Sequence, residues 1–240
     1  MRAIILAAGR GSRMNNQTAN RPKCLVKLRG RTLLEWQLKA LTDAKVNSIG
    51  IVTGYKHELL EKWQLINFHN PFWARTNMLS SLAYAGSWLK EKPCIVTYSD
   101  IFYDSSAVES LIECDAPIAI TYDPNWLELW NKRFVDPLSD AETFRLNPNS
   151  TIAEIGNKPS SINEINGQYM GLLRITPEGW GEVERVRAGV TKEVSDNMQI
   201  TEVLQLIIGA DRMPITALPF DGEWGEVDTP SDLALYQAYK

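Results

Sequence analysis

The densest cluster of chemically useful residues stands near the start of the chain. Directly after an apolar run, Leu6-Ala7-Ala8-Gly9-Arg10-Gly11-Ser12-Arg13-Met14 mixes small residues, glycines and arginines. Glycine lets a backbone approach a phosphate closely and turn its N–H groups toward the oxygens. Arg13 adds a fixed charge with forked donors. A second basic element, Arg21-Pro22-Lys23, follows a polar stretch rich in Asn, Gln and Thr. Pro22 fixes its own φ and biases Arg21 toward an extended backbone, which stiffens the segment carrying Lys23. Two cationic elements flanking a polar loop suit a triphosphate. A tight turn with surface arginines and a solvated lysine would use the same residues.

Two rival phosphate-loop patterns fail on spacing. A dinucleotide fingerprint needs a third small residue where this chain has Met14, and an acidic residue closing the second strand, which instead ends Ile51-Val52-Thr53-Gly54. A P-loop needs Gly-Lys-Ser/Thr, which is not there. Further along, Asp100 follows the apolar run 94–98, and Asp228 follows the run 224–227. Carboxylates at strand ends suit Mg²⁺, which takes oxygen ligands. Asp is equally at home in turns and helix caps, and residue type alone leaves both readings open. The chain has two histidines, His57 and His69, and three scattered cysteines, Cys24, Cys94 and Cys114. That set offers no multi-histidine metal site, no zinc spacing and no disulfide framework, and reads as free thiols in a reducing compartment.

These residues need a frame. Residues 3–7 form a continuous apolar run, typical of a central parallel strand. Thr32 and Glu35 make a capping box ahead of an amphipathic helix carrying Leu33, Leu34, Trp36, Leu38 and Leu41. Strands are expected at 48–53, 94–98 and 116–122, with helices from about 58 and over 80–89 between them. Strands alternating with helices mean βαβ units. After Asp123 the rhythm breaks, and 124–150 shows prolines and tryptophans without a clean period. A strand at 169–175, a helix at 177–186 with Pro177 near its start, a helix at 201–208 closed by Gly209, strands at 215–218 and 224–227 and a helix from about 231 complete the reading. The expectation is an α/β fold: one doubly wound, Rossmann-like domain over 1–240, with a mixed, mostly parallel sheet and an irregular insertion at about 124–168.

Composition agrees with that class. The 240 residues are 44% hydrophobic and 22% charged, with a net charge of −4, which excludes disordered and collagen-like chains. The acidic balance argues against a protein whose main task is gripping nucleic acid. No apolar run approaches the ~20 residues of a membrane span. The short apolar start reads as a strand and not a signal peptide, so the expected location is the cytoplasm.

The motifs Leu-Ala-Ala-Gly-x-Gly-Ser-Arg-Met at 6–14 and Arg-Pro-Lys-Cys-Leu-Val at 21–26 resemble the nucleotidyltransferase superfamily that makes NDP-sugars and CDP-alcohols. Within it the chain looks most like the phosphocholine cytidylyltransferase-like branch, which includes cytidylyltransferases for phosphonates and other phospho-metabolites. Thr76–Leu82, Tyr98-Ser99-Asp100 and Glu226-Val227-Asp228-Thr229-Pro230 resemble that branch's Asn-rich helix start, metal-binding aspartate and C-terminal Glu-x-Asp signature, in the same order. The resemblance spans essentially the whole chain. It implies a nucleotide-diphospho-sugar transferase-like fold and a Mg²⁺-dependent transfer of CMP from CTP to a small phosphorylated or phosphonylated metabolite.

It also assigns roles. Arg13 and Lys23 become the catalytic cations; Leu6, Ala8, Gly9, Gly11, Ser12, Gly54, Asn77 and Ser80 join them in binding nucleotide. Asp100 and Asp228, with Glu226, become the metal ligands. On the acceptor side stand Trp126, Trp130, Glu142, Lys158, Gln168, Tyr169 and Asn197. Trp126 and Trp130 are four apart and share a helical face, so exposed they would form part of a cage for a quaternary ammonium, and buried they would be core. Glu142 would meet an amine. Lys158 lies in an Asn-Lys-Pro element like one near the acceptor phosphate of sugar-nucleotide relatives. The insertion is richer in Trp, Arg and Pro than the simplest phosphocholine pattern, so aminoethylphosphonate or a phospho-amino acid fits as well as phosphocholine. CTP is chosen over UTP or dTTP by resemblance and not by residue chemistry. No nucleic acid or membrane partner is implied, and a homodimer is compatible with the reading. The alternatives are a sugar-1-phosphate nucleotidyltransferase using UTP or dTTP, and a non-catalytic nucleotide-sensing module.

Overall fold

A computed structural model of the chain describes residues 1–238. Its centre is a seven-stranded sheet. In chain order the strands are β1 (Arg2–Ala7), β2 (Ser48–Thr53), β3 (Ile66–His69), β4 (Cys94–Tyr98), β5 (Ile118–Asp123), β6 (Gln168–Ile175) and β7 (Thr216–Pro219). Across the sheet they run β7-β5-β6-β4-β1-β2-β3. Strand β6 is antiparallel to both neighbours, and the other pairs are parallel. The sheet is therefore mixed and mostly parallel, as the strand–helix alternation implies. β1 sits between β2 and β4, and the chain's connections diverge on either side of it. Ligands in open α/β sheets collect at such a switch point, beyond the carboxyl ends of the strands.

The helices follow from local signals. Thr32 and Glu35 form both halves of the capping box that starts Leu33–Asp43. Thr176 caps Pro177–Ala188, with Pro177 in the first turn where its missing N–H costs nothing. Leu33–Asp43 packs with Ser105–Glu113, and Gly86–Glu91 and Ile200–Ala210 pack with Pro177–Ala188. A smaller apolar cluster of Met14, Val26, Leu28, Leu33, Phe102, Val227, Leu233 and Tyr236 ties the glycine loop to the C-terminal segment. Met14, the residue that spoils the dinucleotide fingerprint, is fully buried there and anchors the loop. No described helix is long and apolar enough to cross a membrane.

Several expectations need correction. The helix expected over 80–89 is three short pieces, Met78–Leu82, Ala83–Ala85 and Gly86–Glu91. That expected from about 58 is a 3₁₀ segment, His57–Trp63. The helix expected to close at Gly209 runs through it to Ala210 and ends on Asp211 in the left-handed region. Edge strand β3, the short strand Ile101–Tyr103 and the helix Ser105–Glu113 were not expected. The stretch 124–168 is more ordered than its composition suggests. It holds the helix Trp126–Arg133 and an antiparallel pair, Phe144–Leu146 with Ile152–Ile155. The pair docks on Ile200–Ala210, where the Ile155 N–H donates to Gln205 Oε1 at 2.8 Å.

Candidate active site

The glycine loop leaves β1 at the switch point. Gly11 has φ +68, and a Cβ there would lie 2.7 Å from Lys23 Cδ, so glycine is needed both for the backbone and for the lysine stem lying over it. The Thr18 hydroxyl donates to Gly11 O at 2.9 Å, and Tyr55 N–H donates to Ala8 O at 2.9 Å. Leu6, Ala8, Gly9, Gly11, Ser12, Arg13, Lys23 and Asn77 line one cleft of about 270 Å³. Trp73, which the sequence did not single out, lines it too, as do Ser81, Tyr98 and Ser99, which stand in the motifs without an assigned role. Ser80 faces away, its hydroxyl donating to Ser195 O at 3.2 Å, and it is Ser81 that lines the cleft. Gly54 does not line the cleft; a Cβ there would lie 2.5 Å from Trp73 Cβ, and its smallness admits the Trp73 segment.

The carboxylates are gathered by strand register. Ile101–Tyr103 pairs antiparallel with Trp224–Glu226, placing Ile101 opposite Glu226, and the Val227 N–H donates to Asp100 O at 2.9 Å. Asp100, Glu226 and Asp228 then offer oxygens within 4.8 Å of one another. Lys23 Nζ lies 2.8 Å from Asp100 Oδ2 and also bonds Asp228, while Arg13 reaches Asp228 at 2.9 Å. Burial opposes the charge on Lys23, but Asp100, Asp228 and Glu226 outweigh it and raise its pKa. Burial, with the charges of Asp228 and Asp100, pushes Glu226 up to about 8 against the pull of Arg133 and Lys23. Asp100 Oδ1 is buried with no partner among the described residues. A triad of clustered carboxylates with a spare buried oxygen fits a hard cation.

Two positioning residues escaped the sequence reading. Gln37 is fully buried and its amide donates to Tyr98 O at 2.6 Å and Ile101 O at 2.7 Å, fixing the turn that carries Asp100. A polar residue on the apolar face of Leu33–Asp43 was the available signal. Arg133, with a fully buried side chain, donates to Asp232 at 3.0 Å and Glu226 at 3.3 Å and lies over the Trp130 ring at 4.7 Å. Nothing in its local sequence marks it.

A second cleft of about 290 Å³ shares Arg13, Met78, Tyr98 and Asp100 with the first. Glu142, Gln168, Tyr169, Glu226 and Asp228 line it, as do Asp140, Gln199 and Thr201, which were not anticipated. Burial raises the Glu142 pKa; a hydrogen bond from Thr201 opposes this and the charge of Asp140 adds to it. Four expected acceptor residues are elsewhere. Trp126 and Trp130 are 4% and 1% exposed, packed edge-to-face at 6.2 Å in the core, so neither offers a face to a quaternary ammonium. Lys158 donates to Leu138 O and to Ser139 O at 3.1 Å, outside the cleft. Asn197 caps its own helix segment, and its O accepts from Asn77 Nδ2 at 2.9 Å.

Residues 3–145 match the family described as MobA-like NTP transferase domain. CTP:phosphoglutamine cytidylyltransferase of Campylobacter jejuni is 33% identical over 97% of this chain and 98% of its own. Choline-phosphate cytidylyltransferase of Streptococcus pneumoniae is 40% identical over 34% of this chain and 38% of its own. The inositol-1-phosphate CTP transferase structure from T. maritima superposes with a TM-score of 0.79 at 19% identity, covering 98% of this chain and 93% of that one. Its likeness concerns the fold alone. The glycine loop, the Lys23 element and the strand-end carboxylates thus stand in a chain that belongs to the nucleotidyltransferase superfamily, in its MobA-like NTP transferase family and on the cytidylyltransferase branch.

Proposed function

We propose that this enzyme transfers CMP from CTP to an anionic oxygen of a small phosphorylated or phosphonylated metabolite, releasing pyrophosphate. The observation that carries the reading is the join between the two clefts: one is walled by the glycine loop, the other by polar side chains, and Arg13 and Asp100 belong to both. An acceptor oxygen entering from the second cleft attacks the α-phosphorus held in the first. A new P–O bond forms as the bond to the bridging oxygen breaks, and pyrophosphate carries away the electron pair. The acceptor oxygen is already an anion, so no histidine base is required. The difficulty is repulsion between two anions, which Arg13, Lys23 and loop N–H groups offset while holding an in-line geometry.

Asp100, Glu226 and Asp228 would hold Mg²⁺, which when bound neutralises phosphate charge. Asn77 and Ser81, with the Leu6 and Ala8 backbone, face the base. Glu142, Gln168 and Tyr169 receive the acceptor. With Trp126 and Trp130 in the core, a hydrogen-bonding acceptor suits this pocket better than a trimethylammonium, and the name of the Campylobacter relative makes phosphorylated glutamine the first to assay. The test is pyrophosphate release from CTP and Mg²⁺ with phosphoglutamine, phosphocholine, aminoethylphosphonate and sugar 1-phosphates in turn, repeated with UTP and dTTP. Release with CTP and a non-sugar acceptor is expected. Release only with UTP or dTTP and a sugar phosphate would replace the reading, and nucleotide binding without release from any pair would leave a sensor.

A further inference from the structure

A concavity larger than either cleft lies beside them. Behind the segment 72–84 lies a hollow of about 690 Å³, within the size range of small-molecule sites. Its charged lining is Arg75, Arg187 and Lys192 against the single carboxylate of Asp196. Lys192 and Asp196 pair with each other one turn apart on an exposed helix face. Arg187 is half-buried, and its guanidinium bonds only hydroxyls, Ser195 Oγ at 3.2 Å and Ser80 Oγ at 3.3 Å. Burial lowers its pKa, against the weaker pull of Asp196 and Glu184. Neither Arg187 nor Arg75 makes an ion pair among the described residues. A partly desolvated guanidinium that no carboxylate pairs directly is costly unless an anion completes it. On the same wall Phe72 and Tyr84 are 48% and 40% exposed, large aromatic faces beside the cations.

We propose that this hollow binds a small phosphate ester bearing a planar ring, and that its occupancy is coupled to the nucleotide cleft. Two arginines and a lysine suit the dianion and the forked geometry of a phosphate. Phe72 and Tyr84 suit a ring. The coupling has a defined route. The segment 72–84 is a shared wall: Trp73, Asn77 and Ser81 face the nucleotide cleft, Phe72, Arg75 and Tyr84 face the hollow, and Thr76 lines both. The helix Lys192–Asn197, which supplies Lys192 to the hollow, holds Asn77 from behind. Asp196 O accepts the Asn77 N–H at 2.7 Å, and Asn197 O accepts its side-chain amide at 2.9 Å. An anion drawing Lys192 toward Arg187 therefore loads the helix that fixes a cleft residue.

Phenyl phosphate is a direct probe, since it carries the ring and the dianion but no nucleoside. Calorimetric titration should give one saturable site in the full chain. Arg187→Gln, and independently the exposed Arg75→Gln, should each weaken it about tenfold or more, as loss of a charge-assisted contact does. Arg13→Gln, in the catalytic cleft, should leave it unchanged. Phenyl phosphate should also shift the apparent KM for CTP in the wild type and not in Arg187→Gln, whose basal turnover is retained. Absence of binding up to about 10 mM, where even a millimolar Kd would saturate, overturns the site. So does binding lost in Arg13→Gln and kept in both other variants, which would put the probe in the cleft. Binding with no effect on KM removes the coupling. The binding arm needs no turnover, so its failure is distinguishable from failure of the proposed reaction.

Discussion

Lys23 joins the glycine-loop face of the cleft to the carboxylates beneath it. Its Nζ bonds Asp100 and Asp228 while its stem crosses Gly11, so one buried side chain touches both halves of the proposed chemistry. Its pKa is raised, and the stability it contributes is present below its ordinary value of 10.5 and lost only as pH climbs through the higher folded value. Around neutral pH it is a permanent cation. Lys23→Met leaves three carboxylates crowded without it. Removing one partner from such a buried network costs about 3 kcal/mol or more, which lowers Tm by about 6–12 °C for a chain of this size. Turnover should fall about 10²–10³-fold, the loss typical of a group that stabilises developing charge. If the same carboxylates hold the divalent metal, as proposed, added Mg²⁺ should recover more of the Tm in Lys23→Met than in the wild type. A variant as stable as the parent without metal, or indifferent to Mg²⁺, would show that Lys23 is not the counter-charge of the cluster.

The helix Trp126–Arg133 shows how an element can serve the site without touching substrate. Its apolar face is spent on the core: Trp130 packs on Trp126, Phe134 and Trp224, each with ring centres about 6 Å apart. Its last residue, Arg133, is laid over Trp130 and pinned to Asp232 and Glu226. The helix thereby braces the strand carrying Glu226 and the start of Pro230–Ala238 together. Spacing alone put the two tryptophans on one face, but no local signal says which way a face points; that is decided by the Trp224 segment arriving from nearly one hundred residues away. The strands β1, β2 and β4 were legible because most of their residues are buried on both faces and their centres are apolar runs. The strand Ile101–Tyr103 was not, because three residues acquire their order from a partner distant in sequence, whereas the helix Ser105–Glu113 does carry a local pattern, with Ala107, Val108 and Leu111 on its buried face. Trp126→Ala, which deletes a buried indole, should cost about 3–5 kcal/mol of stability. In the folded enzyme it should leave KM for CTP and for the acceptor within about twofold of the parent. A selective rise in acceptor KM, with little change in Tm, would restore the cage.

At the scale of the molecule, the cleft lies where the glycine loop, the Asp100 turn, the 124–168 stretch and the C-terminal segment meet. Arg13 from the glycine loop reaches Asp228 at 2.9 Å and comes to 4.0 Å from Asp140 of the insertion. Its side chain is 63% exposed, so this bridge is screened and contributes little by itself. A nucleotide triphosphate offers Arg13 and Lys23 better partners than the carboxylates do, but only if those carboxylates gain a cation in exchange. Otherwise the triphosphate brings negative charge to Asp100, Glu226 and Asp228 at close range. Nucleotide and metal are therefore expected to bind as a pair, each raising the affinity of the other by the same factor, as linkage requires. Thermal unfolding tests this directly. CTP with Mg²⁺ at about 100 times Kd should stabilise the protein by about 2.7 kcal/mol, a shift of about 5–10 °C. CTP with EDTA should give a fraction of that shift. Mg²⁺ alone should give less than the pair, and UTP or dTTP should need higher concentrations than CTP. An equal shift from CTP in EDTA would mean that the carboxylate cluster is a structural ion-pair network of Lys23 and Arg13, and not the place where metal and nucleotide meet.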